Sequence, residues 1–188
     1  MAIRDSIPRK LTYEDYLRFP DDGLRHELID GEHFVSPAPT EKHQLVSWNV
    51  AYFLADHLRR NRLGQAFTAP YDVLFAQHDV VQPDLLYISN ERSGIRTGKN
   101  AQGAPDLIIE ILSESTRWRD EDVKFRLYER SGVKEYWILN PDLATVEVFR
   151  LRGQSLHLEK ELSAAAADVL ETPLLPGLKI PLEEVFRG

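Results

Sequence analysis

Two Pro-Asp dipeptides, each leading into an apolar run, constrain this chain more than any other feature. One reads Gln82-Pro83-Asp84-Leu85-Leu86-Tyr87-Ile88, the other Ala104-Pro105-Asp106-Leu107-Ile108-Ile109-Glu110-Ile111-Leu112. Short runs of aliphatic and β-branched residues suit buried strands. Proline is tolerated at a strand's first residue, where its missing N–H removes no ladder bond. Each Pro-Asp therefore marks a strand entrance. Glu110 then sits inside a strand that is otherwise apolar, and a carboxylate there needs a cation or hydrogen-bond donor to offset its desolvation. A hard divalent metal ion is one such partner.

The rest of the chain reads as an α/β fold, a mixed sheet flanked by helices with extra β-hairpins. Thr12 caps a short helix near 12–19 that stops at Phe19-Pro20-Asp21-Asp22-Gly23. Asp30-Gly31 between Arg25–Ile29 and Glu32–Val35 is a strong hairpin signal. Thr40 caps a long helix to about Arg62, with Leu45, Trp48, Tyr52, Leu54 and Leu58 as its apolar stripe and Gly64 as its stop. Strands are expected near 65–69 and 71–75, then at the two Pro-Asp runs, with a polar, mobile loop over 89–103 between them. A second helix runs from Ser115 or Thr116 to about Arg130. A strand over 135–139, a hairpin over 145–162 and a final turn near 182–186 follow. The 188 residues suit one domain, with the tail over 172–188 packed on it.

Composition narrows the chemistry. There is no cysteine, so disulfides, thiolate metal sites and cysteine nucleophiles are excluded. No apolar stretch reaches the roughly 20 residues of a membrane helix, and Met1-Ala2-Ile3-Arg4-Asp5-Ser6 lacks the apolar core of a signal peptide. The expected compartment is the cytoplasm. A net charge of −7 argues against coating nucleic acid through the overall field, though not against a nuclease in which a metal neutralises phosphate locally.

The candidate site residues are Glu27, Asp84, Glu110 and Lys124, with Asp106, Ser113 and His43 in possible supporting positions. Asp106 and Glu110 share a strand face but stand roughly 13 Å apart, too far to share one ion. Asp84 can meet Glu110 if the two strands are neighbours. Carboxylates gathered at one point repel by about 4 kcal/mol per pair at 4 Å and an effective dielectric near 20. Mg²⁺ or Mn²⁺ bound between them would invert that charge. Bland readings stand beside these: Asp84 as a turn cap, Glu27 paired with Arg25, Lys124 as a solvated helix residue paired with Asp120. His43 contacts substrate or packs, and Ser113 bonds a sheet-end backbone or orients Lys124. Trp48, Trp118 and Trp137 read as core or rim packing. Arg59, Arg60, Arg62, Arg117, Arg119, Lys124 and Arg126 read as a phosphate-tracking rim or as ordinary surface charge.

In combination, Glu27–Glu32, Ser36-Pro37-Ala38-Pro39 with His43, Gln82–Asp84, Ala104–Ser113, Asp120–Lys124, Tyr128 and Gly132–Trp137 resemble the Uma family of restriction endonucleases, within the PD-(D/E)XK nuclease superfamily. The likeness spans about residues 10 to 142. It implies a restriction-endonuclease-like fold and a divalent-metal site for phosphodiester hydrolysis. By position Asp84 and Glu110 match the two acids and metal ligands, Glu27 an additional acid, and Lys124 the lysine. The superfamily's usual lysine position holds Leu112 instead. The implied function is a Mg²⁺- or Mn²⁺-dependent endonuclease on DNA, acting as a homodimer. The alternatives are a catalytically silent binding module and a metal-dependent phosphodiesterase on RNA or small nucleotides.

Overall fold

The computed structural model describes residues 9–187; the first six residues, read above as lacking a leader core, lie outside them. Thr12 and Asp15 form a reciprocal capping box at the start of α1 (Tyr13–Tyr16). β1 (Arg25–Ile29) and β2 (Glu32–Ser36) pair as an antiparallel hairpin. Its two turn residues, Asp30 (φ 51°) and Gly31 (φ 79°), adopt the left-handed backbone that an Asp-Gly turn supplies. Gly31 has a further reason to lack a side chain, because a β-carbon there would lie 2.5 Å from that of Lys10.

α2 (Glu41–Asn61) starts at Thr40, whose hydroxyl accepts the N–H of His43. It ends at Arg62 in left-handed backbone, one residue short of β3 (Gly64–Thr68), so Gly64 opens a strand rather than stopping the helix. β4 (Val73–Ala76), β5 (Asp79–Val81), β6 (Leu85–Ser89), β7 (Ala101–Gln102) and β8 (Leu107–Ile111) follow. The stretch between β6 and β8, expected as a mobile loop, is instead packed. It contains a 3₁₀ turn over Asn90–Ile95 and β7, and buried Asn100 donates to the Tyr13 hydroxyl. α3 (Phe125–Ser131) continues a π-wound segment over Arg119–Lys124. β9 (Glu135–Asn140), β10 (Thr145–Arg152), β11 (Ser155–Ser163), β12 (Val169–Leu170), β13 (Ile180–Pro181) and α4 (Leu182–Val185) complete the chain.

The central sheet has the order β11-β10-β9-β8-β6-β3, antiparallel throughout except for the β8/β9 pair. A smaller sheet runs β2-β1-β5-β4-β7. Alternation along the central strands divides the core. Leu85, Tyr87, Leu107 and Ile109 pack with α2 and the C-terminal segment. Leu86, Ile88 and Ile108 pack with α3 and the smaller sheet on the other face. No helix among the described residues is long and apolar enough to cross a membrane.

The stripe of α2 differs from the expected one. Val46, Val50, Leu54 and Leu58 are buried, whereas Leu45, Trp48 and Tyr52 are exposed. The sheet already brings Tyr87 and Trp137 to this layer, so the helix fills the remaining space with smaller side chains from one i, i+4 row. Leu54→Ala is therefore expected to cost about 2–5 kcal/mol by cavity formation, and Trp48→Ala under about 0.5 kcal/mol. Urea unfolding of the two variants measures the contrast, and equal losses would refute it.

Candidate active site

The register of the central sheet assembles the acidic centre. β6 and β8 are antiparallel neighbours with Leu85 opposite Ile109, so Asp84, just before β6, comes opposite Glu110. The N–H of Asp84 points at Glu110 Oε2 at 3.4 Å. Asp84 is fully engaged. Arg25 donates to Oδ1 at 2.8 Å, while His43 Nε2 at 3.0 Å and the Ile111 N–H at 2.8 Å meet Oδ2. Burial works against the charged form of Asp84, but His43 and Arg25 outweigh it and hold the carboxyl well below the usual range.

Glu110 faces the opposite balance. Its Oε1 accepts from Lys124 Nζ at 2.9 Å and from the Tyr128 hydroxyl at 2.6 Å. Burial nevertheless pushes it up to about 8, against the pull of Lys124 and with the charges of Asp120, Asp84 and Glu27 adding to the rise. Lys124 is 1% exposed and also meets Glu27 Oε1 at 2.9 Å and Asp120 Oδ1 at 3.5 Å. Desolvation disfavours its ammonium, yet those three carboxylates raise its pKa above that of a free lysine. The π-wound turn matters here, because it sets Arg119, Asp120 and Lys124 together on the buried side. Glu27 accepts the Gln82 N–H at 2.9 Å through Oε1, while its Oε2 is buried without a hydrogen-bond partner, 3.8 Å from Arg119 Nε.

The structure thus brings Glu27, Asp84, Glu110, Lys124 and His43 together and leaves Asp106 out. Asp106 lies at the other end of β8, where it accepts the Ser89 N–H at 2.8 Å and pairs with Lys134 at 2.6 Å. Burial opposes its charge, but Lys134 and Ser89 prevail and hold the carboxyl below its ordinary value. A depressed folded-state pKa contributes stability above the unfolded value and loses it as pH falls through the folded one. Asp106→Asn should accordingly melt below wild type at pH 7 and converge with it on acidification below about pH 3.9, the free aspartate value. A constant gap down to pH 2 would refute that assignment. Ser113 bonds the Thr116 hydroxyl at 2.8 Å, and Thr116 in turn donates to Asp120 at 3.0 Å, so Ser113 is two hydrogen bonds removed from Asp120 and does not touch Lys124.

Other expectations are corrected. Glu27 does not pair with Arg25, whose guanidinium goes to Asp84, and Lys124 is buried rather than solvated. Leu112, in the superfamily's usual lysine position, packs in the apolar core, and Lys124 reaches Glu110 from the helix instead. The seven basic residues do not form one rim. Arg119 and Lys124 are buried, and Arg59, Arg60 and Arg62 sit at the far end of α2 from His43. Trp137 is core, but Trp48 and Trp118 are 74% and 57% exposed. Arg25, Asp120 and the Tyr128 hydroxyl were missed as site groups. Only Asp120 carried a local signal, four residues before Lys124.

With all groups ionised, four carboxylates (Glu27, Asp84, Glu110, Asp120) meet three permanent cations (Arg25, Arg119, Lys124), leaving an excess of one negative charge. A cavity of about 100 Å³ opens on this centre between the Pro37–Thr40 segment and Ser113–Thr116, with Asp84, Glu110, His43 and Lys124 in its lining. Among the described residues no three His, Asp or Glu side chains form a ready-made metal cage. The donor set nonetheless suits a magnesium-like ion, which keeps several waters and takes one or two carboxylates plus substrate oxygens. Glu110 Oε2, which lines the cavity's centre and takes only the long Asp84 N–H contact at 3.4 Å, agrees with that fit.

Comparison with known proteins gives the family and the fold. A family model described as "Putative restriction endonuclease" (Uma2) matches residues 13–183. An uncharacterized protein of Synechocystis is 23% identical over 181 residues, covering 95% of this chain and 93% of that one. A crystal structure titled as a "putative nuclease" from Anabaena variabilis superposes with a TM-score of 0.75 at 21% identity, covering 94% of this chain and 97% of that one. At that identity the likeness speaks for the fold alone, a mixed α/β arrangement of the restriction-endonuclease type.

Proposed function

The chain belongs to the Uma2 family, and on that premise we propose that it is an endonuclease hydrolysing phosphodiester bonds in DNA with a divalent metal, Mg²⁺ or Mn²⁺. The observation that carries this reading is the meeting of Asp84 and Glu110 across the β6/β8 ladder, at the floor of an open cavity and with a buried lysine on Glu110. Asp84 and Glu110 are the residues that would hold the ion. When bound, it supplies a water of lowered pKa and polarises a phosphoryl oxygen.

The chain's own residues set up that chemistry. Arg25 and His43 fix the rotamer of Asp84, since each occupies one of its oxygens. Tyr128 and Lys124 fix Glu110 from one side, so its Oε2 remains for the ion. Lys124 brings positive charge toward the place where a phosphorane would develop negative charge, within a desolvated setting where that is worth most. Glu27 and Asp120 hold the lysine. Cutting both strands of a duplex takes two such centres, so a homodimer is part of the proposal.

A second reading, a non-cleaving binding module, is favoured by one observation: both oxygens of Asp84 already take hydrogen bonds. Nicking of supercoiled plasmid with Mg²⁺, with Mn²⁺ and with chelator separates the two. Cleavage that requires the metal and disappears with chelator is the expected result. Metal binding by calorimetry without cleavage of DNA, RNA or a small phosphodiester would hand the case to the binding module.

A further inference from the structure

Along the half of α2 remote from His43, from about 12 to about 28 Å along its axis, lies a second hollow of about 560 Å³, between the helix and β3. That volume is in the usual range of small-molecule sites. Its lining includes Arg59, Arg62 and Arg96 and no Asp or Glu, in a chain with 30 acids against 23 bases. Arg60, on the same turn, is paired with Asp56 at 2.8 Å. None of the three lining arginines has a carboxylate partner among the described residues.

Two independent details mark these side chains as held for something. Arg96 is fixed by Gln65 at 2.7 Å, yet its Nε is buried with no acceptor. A guanidinium is a fork of donors, and Gln65 takes only one of the Nη1 hydrogens, which orients the group without using its whole fork. Arg62 closes α2 with φ 50°, a conformation that its β-carbon disfavours and that glycine usually fills at helix ends. Its carbonyl accepts the Asn90 side-chain amide at 2.6 Å, which fixes the residue at the rim of the hollow. The floor is apolar and shallow-sided, formed by Ala51, Ala55 and Leu85. β3 beside it is the last strand of the central sheet, so one side of its backbone has no strand partner.

We propose that this hollow binds a phosphate carried on a flat, apolar body, the chemistry shared by a free nucleotide and the phosphorylated end of a nucleic-acid strand. The arginines take the phosphate bidentately, the alanine floor takes the base face, and the free edge of β3 offers hydrogen bonds to the base rim. The site is separate from the acidic centre and does not depend on its activity.

Calorimetry on the full chain carrying Glu110→Gln, without metal, keeps cleavage and the acidic site out of the measurement. The probes are thymidine 5′-monophosphate, thymidine, and a thymidine tetranucleotide with and without its 5′-phosphate. The monophosphate should bind at least about 10-fold more tightly than thymidine, and Arg96→Gln or Arg59→Ala should weaken it by about 10-fold or more, the range of a charge-assisted hydrogen bond. Arg60→Ala should leave it unchanged. A phosphorylated tetranucleotide binding more tightly than the monophosphate identifies a strand end, and the reverse order identifies a free nucleotide. No binding of either phosphate at millimolar concentration, equal binding of thymidine, or indifference to the two arginine variants overturns the proposal. Those outcomes leave the nuclease reading untouched.

Discussion

Glu110→Gln is expected to abolish metal-dependent nicking, by at least about 10²-fold, while leaving the metal-free protein as stable as wild type or more so. The reasoning starts from charge. Glu110 is 1% exposed and shares its pocket with three other buried carboxylates. With its value raised to about 8, folded Glu110 is largely protonated near pH 7, so glutamine replaces it with little change of charge, and Lys124 keeps Glu27 and Asp120 as partners. The amide retains an oxygen for Tyr128 and Lys124, so geometry persists. The pH dependence gives the sharper test. With the folded-state value raised to about 8, the folded form holds a proton that the unfolded chain releases near pH 4.3. Wild-type stability from this group thus falls as pH rises between those values. Glutamine mimics the protonated form, so the variant's melting temperature should match wild type near pH 4 and exceed it increasingly up to about pH 8 in chelator. A variant that nicks plasmid as fast as wild type would place the metal elsewhere, and a variant less stable at every pH would show that Glu110 is simply half of a stabilising ion pair.

Lys124→Met carries the other large effect, on stability. Among the described residues its ammonium is the one cation within 3.5 Å of Glu27, Glu110 and Asp120 together. Deleting one member of a buried charge cluster strands the others, at a cost of about 3–5 kcal/mol. For a chain of this length that lowers the melting temperature by about 6–20 °C. Lys124→Met combined with Glu27→Gln should recover part of the loss, because one stranded acid is then neutral. The catalytic question is read on the single variant below its melting temperature: calorimetry should show metal binding retained, since lysine donates no ligand, with turnover down by about 10²-fold or more. A melting temperature within 2 °C of wild type for the single variant would contradict the observed burial of Lys124.

These expectations rest on a site that was legible in pieces. Asp84 and Glu110 stood out because an acid at the mouth of an apolar strand, or inside one, is costly without a partner. Their meeting followed once β6 and β8 proved to be ladder neighbours. Arg25 gave no such signal. An arginine in a hairpin strand next to Glu27 pairs locally by default, and its reach to Asp84, 59 residues on, is a property of how the smaller sheet lies against the larger. Asp120 and Lys124 showed the spacing of an exposed helical ion pair, and only the π-wound turn converts that spacing into shared burial. The face of α2 was half misjudged for a related reason: Leu54 and Leu58 are buried as expected, but Val46 and Val50 complete their row in place of Leu45, Trp48 and Tyr52, because they fit the space that the sheet leaves.

What the sequence alone determined is therefore local and energetic: where chain direction changes, at Asp30-Gly31 and the Pro-Asp entrances, which runs are apolar enough to be buried, and which charges would need compensation there. Backbone sterics and desolvation act within a few residues, so they are written in the order of the residues. What the tertiary structure decided is which charges supply that compensation and which helix face touches the sheet. Those depend on complementary volumes and on cations brought from distant segments, and close packing selects among them only when all layers are assembled.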